Sequence, residues 1–73
     1  MAIQIVMDHT GDTRHEFEPA DAAAVTEAEA RFKMLIGAGF TAAKRLDGGK
    51  SEVLRSFDST AKETLFIPRL MGG

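Results

Sequence analysis

The sequence predicts an α+β domain in which one helix covers one face of a mixed five-strand sheet. Three observations predict it. Short alternating or apolar segments lie toward both ends of the chain. A single long amphipathic stripe sits between them. Glycine, proline or aspartate separates each element from the next. The implied order is β-β-α-β-β-turn-β, with no internal repeat, linker or low-complexity tract.

Residues 2–8 read as the first strand. Ile3, Ile5 and Met7 alternate with Gln4, Val6 and Asp8, and Val6 on the second set suits a strand partly covered on both faces. Asp8-His9-Thr10-Gly11-Asp12 is a turn. Thr13 to Glu18 alternates weakly, with Thr13, His15 and Phe17 on one face, as a polar edge strand does. Pro19 ends it. Asp21 is placed to cap a helix, and Thr26-x-x-Glu29 offers a second, later capping box. Val25, Ala28, Phe32, Leu35 and Ile36 form one apolar stripe. Glu27 with Arg31 and Glu29 with Lys33 are i,i+4 pairs on the wet face. Gly37-Ala38-Gly39 stops the helix, one glycine supplying the left-handed residue at its end.

Phe40 to Leu46 is the third strand, and Asp47-Gly48-Gly49 a tight hairpin turn. Ser51 to Phe57 is the fourth strand, with Val53 and Phe57 on one face and Leu54 on the other. Asp58 to Glu63 carries Thr60-x-x-Glu63, which predicts a short helical turn. Leu65-Phe66-Ile67 is a continuous apolar run, suited to a central strand buried on both faces. Pro68 cannot donate to a ladder, so the strand is expected to stop there. The reading is one domain over residues 1–68 and a flexible tail over 69–73.

The bulk properties narrow the function. At 73 residues the chain holds one domain, and such a domain hides only about 60% of its unfolded surface. The 44% hydrophobic and 27% charged content is that of a globular chain, not a disordered one. No apolar run approaches the roughly 20 residues of a membrane helix. Met1-Ala2-Ile3-Gln4-Ile5 lacks the basic start and cleavage site of a signal peptide. The absence of cysteine removes disulfides and thiolate metal sites and fits a reducing compartment, so a cytoplasmic location is expected. A net charge of −2 argues against a nucleic-acid binder. With no large apolar stripe left over, a monomer is expected.

The order of elements resembles the ubiquitin-like β-grasp family over almost the full length. Thr10-Gly11-Asp12-Thr13 stands where the family has its first turn, and Glu18-Pro19-Ala20-Asp21 where its chain approaches the helix. Gly48-Gly49-Lys50 matches the second hairpin turn, Glu63-Thr64-Leu65 opens the last strand, and Arg69-Leu70-Met71-Gly72-Gly73 is similar to the C-terminal tail. The last strand and its Gly-Gly end also resemble the bacterial sulfur carriers of the same fold, the small subunit of molybdopterin synthase and the thiamine-pathway carrier, and Phe66-Ile67-Pro68 is more similar to the molybdopterin type than to ubiquitin. The chain departs from the ubiquitin pattern at three places. His9 replaces a hydrophobic loop residue of the recognition patch, Pro68 disturbs another part of it, and the tail is one residue shorter. Leu46 stands in place for the central patch residue.

The resemblance implies a modifier or carrier whose Gly73 carboxylate is adenylated by a partner enzyme, the acyl group then passing to sulfur or a thiol. Gly72 and Gly73 lack side chains and so thread a narrow channel, and Arg69 is placed to meet an acidic group beside it. The protein itself is then no enzyme and needs no cofactor. Against this stands a plain frayed end, since two glycines together at a chain end arise by chance in about 0.5% of chains. The alternative function is a non-catalytic interaction module with no tail chemistry. Lys44, Arg45, Lys50 and Arg55 gather charge on the second hairpin. The first reading is a solvated face, and the second is a surface for an acidic partner, with Lys44, Leu46 and Lys50 as its contact residues. His9 and His15 flank one turn but have no third ligand in sequence, so a metal site is not expected. Ser51, Ser56 and Ser59 have no base in a recognisable pattern, and Gly48-Gly49-Lys50 lacks the spacing and following helix of a phosphate loop.

Overall fold

The computed structural model describes residues 1–68; the proposed tail, Arg69 to Gly73, lies outside the described residues. Among the described residues are five strands, one α-helix and a 3-10 turn at Asp47–Gly49: β1 (Ala2–Asp8), β2 (Gly11–Phe17), α1 (Ala22–Gly37), β3 (Phe40–Arg45), β4 (Ser51–Leu54) and β5 (Glu63–Pro68). The sheet order is β2-β1-β5-β3-β4. β5 lies in the middle, parallel to β1 and antiparallel to β3. The two hairpins flank it, and α1 crosses one face. This is the β-grasp architecture the element order predicts.

The helix begins where its capping residue dictates. Asp21 is extended, and its Oδ1 accepts from the amides of Ala23 and Ala24, at 3.0 and 3.3 Å. Thr26, the second capping candidate, sits inside the helix, where its hydroxyl donates to the Ala22 carbonyl at 3.0 Å. The helix ends at Ala38, and Gly39 takes the left-handed conformation at φ +99°. Gly48 and Gly49, at φ +79° and +80°, turn the β3–β4 hairpin, which the Leu46 amide closes on the Lys50 carbonyl at 2.7 Å.

Two small clusters make the core. One is Phe32, Leu35, Ala42 and Phe66; the other is Ala2, Phe17 and Ala28. Phe57 packs against both. Its ring lies 6.3 Å from Phe17 and 5.9 Å from Phe32, and Phe32 stands edge-on to Phe66 at 5.7 Å. Four of the five phenylalanines therefore form one chain of aromatic contacts through the core, edge-to-face at Phe32 with Phe57 and Phe66 and tilted by 40° between Phe17 and Phe57.

β1 is covered on both faces, as its pattern predicts: Ala2, Gln4 and Val6 face the helix, where Ala2 and Val6 pack on the two clusters and Gln4 bonds to the helix, while Ile5 on the other face is 7% exposed. Several expectations are corrected. β2 starts at Gly11 and stops at Phe17. β4 is shorter than expected and ends at Leu54; the chain leaves the sheet there, so Leu54 and Phe57 both reach the core while Val53 is exposed on the far face. Ile36 is 37% exposed, at the rim of the helix stripe rather than in the core. Asp58 to Lys62 is a turn, not a helical one: the Ala61 amide closes on the Asp58 carbonyl, and the Asp58 carboxylate takes both the amide and the hydroxyl of Thr60. β5 is central as predicted, but only its helix side is fully buried. Phe66 is 0% exposed and Ile67 is 45% exposed.

Candidate functional site

β5 is the element that leads to the proposed tail. It is bonded on both sides, with Val6 opposite Phe66 in β1 and Phe40 opposite Pro68 in β3. Gly72, Gly73 and Arg69 lie outside the described residues. Alternation from the buried Phe66 turns Leu65 and Ile67 to the face that α1 leaves open. Ile3, Ile5 and Met7 from β1 and Val53 from β4 share that face, and Met7, Val53 and Ile67 are exposed. The Arg45 guanidinium, 3.5 Å from Glu63, borders it.

The second hairpin does not gather its cations on one face. Lys44 alternates with Arg45 and points to the helix side, where Nζ meets Asp58 Oδ2 at 3.0 Å, both side chains about a quarter exposed. Arg45 points to the open face. Leu46 is 38% exposed at the hairpin end, and Lys50 lies beyond it in the turn. Of the three expected contact residues, Leu46 and Lys50 stand together, and Lys44 is occupied by Asp58 on the other side.

That pairing has a titration consequence. The Thr60 hydroxyl, the Lys44 ammonium and the Thr60 amide together hold the Asp58 carboxyl down to about 2, and Asp58 in turn raises Lys44 above its ordinary value. A carboxylate whose folded pKa lies below its unfolded value stabilises above the unfolded pKa and loses that contribution as pH falls through the folded one. The stability gap between the parent and Asp58→Asn is therefore expected to be full above about pH 4 and to close toward about pH 2. Urea midpoints measured across that range test this; a gap that does not narrow means Asp58 is not stabilised as a carboxylate.

The two histidines occupy different places. His9 is exposed in the first turn, beside Asp8, whose carboxylate is held below its usual pKa by the Thr10 hydroxyl and amide. His15 is half-buried on the helix side of β2, and burial, then the nearby Arg31 charge, pushes it below its ordinary pKa. Among the described residues no three of His, Cys, Asp and Glu converge in a way that would hold a metal ion. No helix among them is long and apolar enough to cross a membrane.

The most built polar feature was not a sequence candidate. Gln4 is 1% exposed. Its Nε2 donates to the Ala28 carbonyl at 3.0 Å, and its Oε1 accepts from Arg31 Nη1 at 2.9 Å. Arg31 thus turns to the sheet rather than to Glu27, while Glu29 and Lys33 do approach, to 3.9 Å. The sequence signal is a glutamine within a strand and an arginine on the helix stripe's flank, and it becomes readable only once the helix-facing side of β1 is known.

No family model matches this chain, and neither a curated protein nor a solved structure is significantly similar to it.

Proposed function

We propose that this protein is a ubiquitin-like modifier or sulfur carrier whose Gly73 carboxylate is adenylated by a partner enzyme. The observation that supports the reading is the position of β5. It is the last strand in sequence and the middle strand in the sheet, and Arg69-Leu70-Met71-Gly72-Gly73 follows it directly. A middle strand is anchored by two ladders, so the segment that follows starts from a rigid origin. In the chemistry proposed, a free Gly73 carboxylate oxygen attacks the α-phosphorus of ATP and pyrophosphate leaves. The mixed anhydride is then open to a sulfur nucleophile, with AMP as the leaving group. The body supplies no acid, base or nucleophile to this reaction. It supplies a recognisable surface and a fixed starting point for the tail.

The test is pyrophosphate exchange. The protein is incubated with ATP, labelled pyrophosphate and the adenylating enzymes of its own genome. Exchange is expected with one of them and is expected to vanish on deletion of Gly73. Absence of exchange with every such enzyme, or exchange indifferent to Gly73, sinks the reading. A thiocarboxylate at Gly73 by mass spectrometry marks a sulfur carrier, and isopeptide-linked products in cells mark a modifier.

The second reading is a non-catalytic interaction module. The apolar residues on the open sheet face, Met7, Val53 and Ile67 above all, favour it. Under this reading a chain lacking Gly72 and Gly73 keeps its partner binding.

A further inference from the structure

A groove of about 260 Å³ runs between β2 and α1, lined by Val6, Thr13, His15, Arg31, Met34 and Leu35. Three of these are apolar. Arg31 is the one fixed cation, and no carboxylate lines the groove. Among the described residues Arg31 forms no ion pair. It is nevertheless held in place. The buried Gln4 amide spends its acceptor on Arg31 Nη1 and its donor on the helix backbone at Ala28. A buried neutral amide fixes the guanidinium without cancelling its charge, and the remaining donors of the planar fork stay available.

We propose that this groove binds a small aliphatic monocarboxylic acid, its carboxylate on Arg31 and its hydrocarbon against Val6, Leu35 and Met34. The charge argues for a monoanion. One guanidinium beside an uncharged imidazole and a hydroxyl matches a carboxylate, whereas a phosphate dianion calls for more positive charge. The volume argues for a small molecule, because it falls below the ~300 Å³ at which drug-sized ligand pockets begin. The neighbouring edge argues against an extended peptide. β2 is an edge strand that carries Asp12, Arg14 and Glu16, and such charges discourage the pairing of another strand. The site is independent of the tail chemistry, since none of its residues lies in 69–73.

The probe is hexanoate, with hexanamide as its uncharged counterpart, titrated into the full-length ¹⁵N-labelled protein. Hexanoate is expected to give saturable shifts at the amides of Thr13, His15 and Met34 and at the Arg31 side-chain Nε–Hε. Hexanamide is expected to bind about ten-fold more weakly, and Arg31→Met to weaken hexanoate by a similar factor with an unchanged far-UV spectrum. Arg31 is only partly buried and methionine keeps much of its aliphatic stem, so the far-UV spectrum is expected to hold although the Gln4 acceptor loses its partner. Gln4→Met, which frees the guanidinium, is expected to weaken hexanoate by a smaller factor. Equal shifts from acid and amide, undiminished binding by Arg31→Met, or saturable shifts confined to Lys33, Arg55 and Phe57 on the other flank of α1 would each overturn the proposal.

Discussion

Phe66→Ala is expected to remove most of this domain's stability in water at room temperature. Truncating a fully buried phenylalanine costs about 3–5 kcal/mol, from lost transfer energy plus the cavity left behind. A domain of this length has about 4–11 kcal/mol in total, and its limited buried surface puts it toward the lower end. The position makes the full cost fall due. Phe66 is 0% exposed on the middle strand, edge-on to Phe32, and Phe32 passes the contact to Phe57, which joins the two core clusters. Its neighbour across the ladder on β3, Ala42, is itself small and cannot fill the hole. Phe66→Leu, which keeps most of the volume, is expected to cost about 1–2 kcal/mol and to fold. Ile67→Ala, one residue away and 45% exposed, is expected to cost under about 1 kcal/mol. Urea unfolding followed by far-UV circular dichroism orders the three. A Phe66→Ala midpoint close to that of Ile67→Ala would mean the aromatic chain is not what holds the clusters together.

The same contrast explains what was legible in the sequence. The helix was, because a capping aspartate, a 3.6-residue stripe and a glycine stop agree with one another over Asp21 to Gly39. The two hairpins were, because Gly11 and the Gly48-Gly49 pair sit where the chain must reverse. The inward face of β1 was not. Counting apolar residues selects Ile3, Ile5 and Met7, but a sheet covered on one side only still shields parts of its other side. Ile5 is 7% exposed there, under its neighbours on β2 and β5. Periodicity reports that a face is apolar and does not report which face receives the helix. The end of β4 failed for a related reason. Phe57 was assigned by alternation, yet the strand stops at Leu54 and the loop delivers the ring inward.

Charge patterning failed most instructively at Arg31. An i,i+4 glutamate is worth a few tenths of a kcal/mol on a wet helix face. A hydrogen bond between a charged donor and a buried amide contributes more, about 1.5–3 kcal/mol, and it takes the arginine. Local spacing carries no trace of a partner 27 residues away. Lys44 shows the same thing, since its partner Asp58 comes from a loop that the sequence reads as a helical turn.

Gln4→Ala is the second substitution with a large expected effect, about 2–4 kcal/mol of lost stability. Two hydrogen bonds disappear, one of them to a cation, and a void opens between β1 and α1 at a site only 1% exposed. Gln4→Met separates the two contributions. It restores the volume but neither bond, so it is expected to recover the packing share and still fall about 1–3 kcal/mol short of the parent. A double-mutant cycle of Gln4→Met with Arg31→Met then isolates the bond between the two side chains, with an expected coupling of about 1 kcal/mol or more. Zero coupling would show that Arg31 gains nothing from Gln4, and the glutamine would then be a helix-to-sheet tie through Ala28 alone. A positive coupling leaves a different physical picture. Part of this small core's stability is then invested in aiming a guanidinium that has no anion of its own among the described residues, which is the arrangement a carboxylate ligand would complete.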